Sequence, residues 1–581
     1  MSIDIETYRL KAQEAIEYVF VKEYHNSLGI PMPIVKMLLP DDANYSTGQY
    51  YITIDKTWQI HLNFGKLPIS YHEFQNEVKV LTRHEIEHYM CCPFDVITHF
   101  RMLKRIRDVY YKHFSHLGIN IEYACGAISN QAADIIVDTK NYYRHSKETL
   151  KSEIDWIKIG ANISACPRHC KLMFLTKEAI WKEDLGINET DPEFLKIVHQ
   201  LADSFTKNGI EDKSSFLDKV EEYAEIFFKL YVEDQKNPQQ SSQQGSQQQS
   251  GQQGPQQQNG QQGPQQQSGQ QGSQQQSGQW GVGRPKDGDE HGNAFVFADP
   301  DKVKEAIEVL AEETSVEEFI DLLAIAGIIG MSDKQKGVLW FNVQSANIIP
   351  IVEFSNTGNK SSYTYPSVWR IGDPIEELDL MLTYMTSPRL IPGMTTKKWG
   401  YVSNDDNGTE SKQMDLLLVV DTSGSMGSAM KESANMHQAV LASYGILSYF
   451  ESTKSKVAFI GFSDKIDAYV DWSDKYDDVR ERLLTNGHGG TKFPISRIKS
   501  TLDVRSRDLV TVLITNGDLG NINESVSYFR DYLNDDNKLY IFLLGGSKSL
   551  HSYEPLKNIG AKIYNANNAN EFCDMVLTDM E

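Results

Sequence analysis

The sequence predicts a multidomain protein: a mainly helical α+β region with a small sheet towards the N-terminus, and an α/β region with a doubly wound parallel sheet towards the C-terminus. Three observations lead to this prediction. Helical motifs and a hairpin pattern come first, a low-complexity tract follows, and apolar runs then alternate with helical segments. The 581 residues therefore divide into segments at 1–235, 236–285, 286–408 and 409–581.

The N-terminal segment contains the motif HEIEH at residues 84–88. Residues four apart share one face of a helix, so His84 and His88 can bind one Zn²⁺ while Glu85 reaches the water beside it. Apolar residues at helical spacing over 77–83 predict a helix of about four turns around the motif. Zinc lowers the pKa of water and polarises a scissile carbonyl, and a neighbouring glutamate transfers the proton to the leaving amine. The motif is typical of a zinc peptidase.

The third zinc ligand is expected downstream, because catalytic zinc has three protein ligands and one open position. In the segment 127–138, Asn130, Asp134 and Asp138 fall on one helical face flanked by Ala, Ile and Val. Two carboxylates are costly to bury there without a cation, which favours a metal ligand over a solvated acidic face and places Asp134 ahead of Asp138. The remaining candidates are Glu122 and His145.

Alternating apolar and polar residues over 50–54 and 58–63 predict a β-hairpin upstream of the motif. In zinc peptidases such an edge strand commonly pairs with an extended substrate, although a purely structural hairpin explains the pattern equally well. A donor to the transition state is also expected, and four residues are unranked candidates for it: Tyr142, Tyr143, Arg144 and His145.

The HEIEH motif and the Asn-Gln-Ala-Ala-Asp segment together resemble a family of bacterial and archaeal metallopeptidase domains that are fused to a von Willebrand factor A-like domain. The resemblance covers about residues 10–235 and is carried by these two motifs. It implies a zincin-like fold, with zinc held by His84, His88 and Asp134 and with Glu85 as the general base. Proteins of this arrangement are often associated with MoxR-type AAA+ ATPases, so the resemblance also implies such a partner. The chain itself has no Walker A sequence GxxxxGK[ST].

A second set of motifs lies in the C-terminal segment. The continuous apolar run 414–420 is typical of a buried parallel strand and leads directly into Asp421-Thr-Ser423-Gly-Ser425. Hydroxyls two residues apart beside a carboxylate offer oxygen ligands to a hard cation such as Mg²⁺. With the later loops 489–491 and 513–518, this order resembles the metal-ion-dependent adhesion site of von Willebrand A domains.

This second resemblance implies that the serines and a threonine bind Mg²⁺ directly, that aspartates bind it through water, and that a partner's carboxylate completes the octahedron. One position departs from the family pattern, because Thr515-Asn516-Gly517 stands where Thr-Asp-Gly is usual. The missing carboxylate weakens the negative charge of the site, and either Asp518 replaces it or Asn516 binds by its amide oxygen. The predicted magnesium site comprises Asp421, Ser423, Ser425, Thr491 and Asp518.

Further strands and helices are predicted around these loops, in the alternation that characterises a Rossmann-like doubly wound sheet with ligands at the carboxyl ends of its strands. The predicted strands are 456–462, 509–514 and 538–544. The predicted helices are 428–450, 474–485, 522–534, 551–558 and 569–579.

The tract from Gln239 to Gln279 contains a repeated nine-residue Gln/Gly unit that cannot bury a core, which predicts a flexible tether rather than a self-associating segment. After it, the pattern predicts helices at 301–312 and 316–328, a strand at 338–343 and an extended segment at 369–374. This connecting region either packs on the C-terminal domain or plugs the peptidase cleft.

Composition narrows the function. A net charge of −22 and a pI near 5.2 argue against nucleic acid or an anionic membrane as the main partner. Six cysteines without a secretory signal, and no run of 18 apolar residues, predict a cytoplasmic protein; the pair Cys166 and Cys170 is only a weak second metal motif.

The sequence as a whole therefore predicts a cytoplasmic zinc-dependent peptidase whose tethered A-like domain recruits a partner or substrate protein through a divalent cation. The alternative is a non-catalytic adaptor of a MoxR-type AAA+ ATPase.

Overall fold

A computed structural model describes the chain over the following residues: 5–42, 50–54, 59–64, 70–159, 163–236, 300–328, 331–346, 367–368, 397–398, 414–505, 508–517, 519, 521–535, 537–545 and 550–566. The chain separates into two compact units. The N-terminal unit comprises Met1–Leu310 with Asp321–Ile329, and the C-terminal unit comprises Ala311–Ile320 with Gly330–Glu581. The predicted tether, and the extended segment predicted at 369–374, lie outside the described residues.

The N-terminal unit is mainly helical, as predicted. Its second helix begins at Tyr71 and continues for 20 residues through the HEIEH motif. Ser70 caps this helix, because its side chain accepts a hydrogen bond from the Glu73 backbone N–H at 3.2 Å. The helical context predicted for the motif is therefore present. Its helices are α1 (Ile5–Glu17), α2 (Tyr71–Met90), α3 (Val96–Val109), α4 (Ile121–Ile159), α5 (Arg168–Trp181), α6 (Pro192–Thr206) and α7 (Phe216–Lys236). The next two helices, α8 (Pro300–Glu313) and α9 (Val316–Ile325), each contribute residues to both units.

The longest helix, α4, contains a break. His145 has φ −136° and ψ 47°, which is outside the helical region, so the 39-residue helix consists of two helical parts that meet at this residue. The segment 127–138 lies in the first part. Helix α4 packs against α2, α3, α5 and α7, which makes it the central helix of the unit.

A three-stranded sheet completes the N-terminal unit. It is formed by β1 (Ile34–Met37), β2 (Tyr50–Ile54) and β3 (Gln59–Phe64), with β3 in the centre. Strands β2 and β3 are antiparallel, which confirms the predicted hairpin, and β1 is parallel to β3. Apolar side chains of α1, α2 and β3 form one core: Ala12, Ile16, Phe74, Val78, Ile86, Ile60 and Leu62.

The C-terminal unit is built on a six-stranded sheet with the order β11-β10-β9-β6-β7-β8. Five strands are parallel, but β8 runs antiparallel to β7 at one edge, so the sheet is mixed and the prediction of a wholly parallel sheet was wrong at this edge. Every residue of β6 is buried, as its continuous apolar sequence predicts. The strands are β6 (Asp415–Asp421), β7 (Val457–Phe462), β8 (Ile466–Ser473), β9 (Leu509–Thr515), β10 (Lys538–Leu544) and β11 (Lys562–Ala566); the short pair β4 (Ser367–Val368) and β5 (Lys397–Lys398) precedes them.

Helices alternate with these strands. They are α10 (Asp333–Ala346), α11 (Asn435–Ser452), α12 (Tyr476–Leu483), α13 (Ile495–Leu502), α14 (Val526–Asn534) and α15 (Leu550–Lys557). Helices α11, α12, α14 and α15 correspond to predicted helices, whereas α13 was not predicted and the helix predicted at 569–579 lies outside the described residues.

The strand predicted at 338–343 is wrong, because these residues belong to α10. Ser332 and Gln335 form a reciprocal cap at the start of this helix: the Gln335 N–H donates to Ser332 Oγ (3.3 Å) and the Ser332 N–H donates to Gln335 Oε1 (2.9 Å). Trp340 and Phe341 then pack on His437 of α11, with ring centroids 5.3 and 5.2 Å away. The cap and this packing outweigh the strand preference of the apolar and aromatic run.

None of the helices in the described residues combines the length and the apolar character that crossing a membrane requires.

Candidate metal centres

Helices α2 and α4 bring together three metal-binding side chains in the N-terminal unit. His84 and His88 lie one turn apart on α2, and Asp134 lies on the adjoining α4. All three side chains are buried. Within the described residues, they are the one set of three His, Cys, Asp or Glu side chains close enough to share a metal ion.

The three side chains present their ligand atoms as a triangle. Nε2 of His84 lies 3.1 Å from Nε2 of His88, and Oδ1 of Asp134 lies 3.5 Å and 3.2 Å from these two nitrogens. Tetrahedral zinc with bonds of 2.0–2.1 Å separates neighbouring ligand atoms by about 3.3 Å. The triangle therefore has the dimensions of one face of a zinc tetrahedron, and the set fits this metal.

The hydrogen bonds of the two imidazoles leave both Nε2 atoms available. Nδ1 of His88 lies 2.8 Å from the Cys92 carbonyl, and Nδ1 of His84 lies 2.6 Å from Asp138 Oδ1. A carbonyl and a carboxylate can only accept, so each Nδ1 carries the proton and each neutral ring has its lone pair on Nε2. When both rings are neutral, the two lone pairs face each other at 3.1 Å and repel, so a metal ion or a proton between them is favoured.

The carboxylate of Asp134 is held in the same way. Its Oδ2 accepts a hydrogen bond from Asn130 Nδ2 at 3.1 Å. Its Oδ1 is buried and receives no aligned hydrogen bond, although His88 Nε2 is 3.2 Å away. A buried carboxylate oxygen without an aligned donor is a costly arrangement that a metal ion would satisfy.

The charges around the site favour a cation. Burial alone would lower the pKa of His84, but the surrounding carboxylates, led by Asp138, raise it to about 9. Burial would raise the pKa of Asp134, but His88 and His84 lower it instead. The cluster is therefore a buried, electronegative site in which a metal ion or a proton is stabilised.

Asp138, the second-ranked ligand candidate, has another position. Its Oδ1 accepts from His84 Nδ1, and its Oδ2 accepts from the Lys177 ammonium at 2.6 Å. Lys177 also donates to Glu153 Oε1 at 2.8 Å. Asp138 thus orients a ligand rather than joining the triangle. Lys177 was not predicted as part of the site, because its only signal in the sequence is a lysine within the apolar sequence of α5.

The two glutamates of the motif have different surroundings. Glu85 is buried next to His84, and its negative charge contributes to the raised pKa of that histidine. Glu87 is fully buried and is paired with cations of α4: Oε2 lies 2.8 Å from Lys140 Nζ, and Oε1 accepts from Arg144 at 2.9 Å. Glu87 therefore joins α2 to α4, whereas Glu85 lies beside the candidate metal ligand His84.

The remaining N-terminal candidates lie elsewhere. Tyr142 donates to Glu183 at 2.9 Å and stacks on Trp181, and Arg144 is engaged by Glu87. His145 Nε2 lies 3.8 Å from Glu23. Glu122 and Tyr143 are exposed. Of the four candidate donors to the transition state, three therefore contact other side chains, whereas Tyr143 forms no hydrogen bond or ion pair with the described residues.

The weak cysteine motif has a structural explanation. Cys166 and Cys170 are free thiols whose pKa values are raised by burial. His169, between them, is buried with its Nδ1 2.9 Å from Asp234 Oδ2. This contact joins α5 to α7.

In the C-terminal unit, the predicted cation site lies at the carboxyl ends of β6 and β9. The chain leaves β6 towards β7 on one side and returns to β9 on the other, so the crevice between β6 and β9 is the switch point at which open α/β sheets bind ligands. Asp421, at the end of β6, is buried, and its two oxygens accept hydrogen bonds from the Ser423 N–H (2.8 Å) and Thr515 Oγ1 (2.6 Å).

Three neutral oxygens surround the entrance of this crevice. Ser423 Oγ lies 3.1 Å from Ser425 Oγ, which donates to Asn516 Oδ1 at 3.1 Å. Asn516 Nδ2 in turn donates to the Ser425 carbonyl at 2.8 Å. Neighbouring ligands of octahedral Mg²⁺ are about 2.9 Å apart, so these oxygens fit a hard cation in spacing but bring no charge.

Of the other two predicted magnesium ligands, only Thr491 belongs to the described residues. Thr491 is half-buried and follows Gly489, whose carbonyl accepts a hydrogen bond from the Gly424 N–H at 3.4 Å, so its loop adjoins the Ser423–Ser425 turn. Asp518 lies outside the described residues.

Comparison with known proteins does not add to this geometry. A scan against protein-family models gave no match, and a search of curated proteins gave none either.

Proposed function

We propose that the chain is a zinc-dependent peptidase whose C-terminal unit recruits a protein partner or substrate through a divalent cation. The observation that carries the proposal is the triangle of His84 Nε2, His88 Nε2 and Asp134 Oδ1, with sides of 3.1–3.5 Å. Each of the three side chains has a separate hydrogen-bonding partner that orients it. The fourth tetrahedral position, which no described His, Cys, Asp or Glu completes, is where water or substrate would bind.

The finer fold assignments belong to this proposal. A long helix with HEIEH beside a small sheet that contains an antiparallel pair supports a zincin-like N-terminal fold. The sheet order and the serine turn at the switch point support a von Willebrand A-type C-terminal fold. On the resemblance of these motifs we propose membership of the metallopeptidase family fused to A-like domains, and with it a MoxR-type AAA+ ATPase as a partner.

The residues would divide the chemistry as follows. Zinc held by the triangle would supply the Lewis acidity that polarises a carbonyl and acidifies water. Glu85 accepts the proton of the attacking water and delivers it to the leaving amine. Asp138 and the Cys92 carbonyl keep the two imidazoles in the tautomer that faces the metal. The C-terminal unit binds a carboxylate of the partner, and the tether raises that protein's local concentration near the site.

The test combines metal analysis with cleavage. Elemental analysis of the full chain is expected to find one zinc per chain, retained in Glu85→Gln and lost in His84→Ala and Asp134→Ala. Incubation with a peptide library, read by mass spectrometry, is expected to show cleavage by the wild type that falls by about three orders of magnitude or more in Glu85→Gln. Zinc binding with cleavage unaffected by Glu85→Gln would contradict the assigned chemistry, and a chain without zinc would contradict the peptidase altogether.

Recruitment is tested on a protein substrate trapped by Glu85→Gln. Deletion of 239–279, or the double change Ser423→Ala and Ser425→Ala, is expected to slow cleavage of that protein. Cleavage of a short peptide is the control and should not change. Equal cleavage of the protein by all variants would contradict the recruitment role.

A further inference from the structure

We propose that Lys177 is a positioning residue for the zinc ligand His84, and that it acts through Asp138. The inference rests on the proposed function in taking His84 as a zinc ligand, and it adds a residue that no sequence motif identifies. Lys177 lies on α5, which contributes no ligand to the triangle.

The geometry is a continuous chain of short contacts. Asp138 uses both oxygens, Oδ1 for His84 Nδ1 and Oδ2 for Lys177 Nζ, each at 2.6 Å. Lys177 is bound at the same time by Glu153 Oε1 at 2.8 Å, and its side chain is only 2% exposed. The ring of His84 is therefore fixed by a carboxylate that is itself fixed from the other side.

The position of Glu153 extends this chain across the break in α4. Asp138 precedes His145, and Glu153 follows it. The ammonium group of Lys177 thus contacts both helical parts of α4, the first through Asp138 and the second through Glu153. The orientation of His84 consequently depends on how the second part of α4 is held, although that part carries none of the ligands.

Stability alone is a weak explanation for this arrangement. A buried ammonium loses several kcal/mol of hydration, and its pairing commonly does no more than offset that cost compared with apolar side chains of similar size. Without Lys177, however, Asp138 would lie near the Asp134 carboxylate with only His84 to hold it. An ammonium at this point keeps the acceptor of the His84 Nδ1–H in a single orientation.

The experiment uses a charge-neutral double variant, because Lys177→Met alone would leave a buried carboxylate unpaired and endanger folding. In Lys177→Met with Glu153→Gln, one positive and one negative charge are removed together. The apparent zinc dissociation constant of the full chain is measured by competition with a zinc-binding dye, and unfolding of the metal-free form is followed by circular dichroism. We expect zinc affinity to fall about 10–100-fold, the usual effect of losing an outer partner of a metal ligand.

A matched control exists on the same helix. Lys171 is also buried and pairs with Glu189 at 2.9 Å, but it forms no ion pair with Asp138 or Glu153. The variant Lys171→Met with Glu189→Gln removes one lysine charge from α5 and the charge of its carboxylate partner, as the test variant does, and should keep the wild-type zinc affinity. Glu153→Gln alone, which leaves the Lys177–Asp138 contact in place, should lower it by less than the double variant.

Coupling to Asp138 separates positioning from a general structural role. If Lys177 acts through Asp138, Asp138→Asn lowers zinc affinity by itself and lowers it little further in the Lys177→Met, Glu153→Gln background. The visible absorption of the Co²⁺-substituted protein should change in the same way in both variants, because the same ring is released. Additive losses, or an affinity loss that matches a loss of stability in the metal-free form, would overturn the proposal.

The outcomes also distinguish this proposal from the proposed function. A wild-type chain that binds zinc, together with a Lys177→Met, Glu153→Gln variant that binds it equally well, overturns the positioning role alone. A wild-type chain that binds no zinc overturns both.

Discussion

The two candidate metal centres differ in charge and burial. In the N-terminal centre, two imidazoles and a carboxylate are buried and converge, and each is oriented by a further partner. In the C-terminal centre, the candidate ligands at the entrance are two hydroxyls and an amide, and the carboxylate of Asp421 already accepts hydrogen bonds from two donors. We therefore expect the first centre to bind a divalent cation more tightly than the second.

This difference follows from how metal affinity arises. Affinity for divalent cations rises with the number of charged ligands and with the rigidity of the site. The N-terminal centre has both, at the cost of buried groups that repel one another when the metal is absent. The C-terminal centre has suitable spacing, but the oxygens at its entrance are neutral, so we expect its affinity for a divalent cation to rise when a carboxylate is added there.

Removing zinc is expected to produce the largest difference in stability between the two units. Free zinc at about 1,000 times its dissociation constant would stabilise the unit that binds it by about 4 kcal/mol. In hydrogen exchange of the full chain, peptides of α2 and α4 should therefore lose protection when a zinc-selective chelator is added. Equal protection with and without the chelator would contradict the metal centre.

The C-terminal unit supplies the internal reference for that measurement. Peptides of β6 and β9 should exchange at the same rate with and without zinc, provided that Mg²⁺ is kept constant. A loss of protection throughout the chain would point to general destabilisation instead of a local metal site.

The loop that carries Thr491 approaches neighbouring residues closely at Gly487. A Cβ on Gly487 would lie 2.3 Å from Asp467 Oδ2 and 2.6 Å from the Thr422 carbonyl, which is part of the backbone next to the cation site. Gly487→Ala should therefore shift this loop and destabilise the C-terminal unit by about 2 kcal/mol. Thermal unfolding of the full chain, followed by calorimetry, measures the change.

Gly490 provides the matched control for this substitution. It lies in the same loop, but a Cβ there meets nothing within 4 Å. Gly490→Ala should leave the stability of the C-terminal unit unchanged. Equal effects of the two substitutions would show that the loop responds to any side chain, and not to the close approach at Gly487.

The parts of the fold that sequence could predict are those with strong local signals. The apolar run of β6 and the spacing around HEIEH identify a buried strand and a helix without reference to the rest of the chain. Strand β8 was not predicted, because it lacks the continuous apolar run that identifies its neighbours in the sheet. Its sequence alternates apolar and polar residues, as an edge strand does, and only Ala468 in it is buried.

The centre itself was predictable only in part, for a physical reason. Ligands that share a helix face, such as His84 and His88, are related by the helical repeat and can be found from spacing. The sequence could rank Asp134 ahead of Asp138 as a ligand, but it could not show what Asp138 does instead. That role depends on its two oxygens, of which one contacts His84 on α2 and the other contacts Lys177 on α5. Lys177 and the Cys92 carbonyl became visible only when the helices were packed together.

A negative charge at the entrance of the C-terminal centre, where the described oxygens are neutral, tests the difference between the two centres most directly. In Asn516→Asp, a carboxylate oxygen would replace the amide oxygen that lies 3.1 Å from Ser425 Oγ, at the same point of the crevice. Divalent-cation affinity should rise about tenfold, which corresponds to about 1.4 kcal/mol. Isothermal titration of the full, zinc-loaded chain with Mg²⁺ and Mn²⁺ measures it. Asn534→Asp adds the same charge at an exposed helix end that precedes β10, away from the carboxyl ends of the strands, and should have no effect. If the two variants bind equally, charge does not limit this centre, and its difference from the N-terminal one has to lie in rigidity.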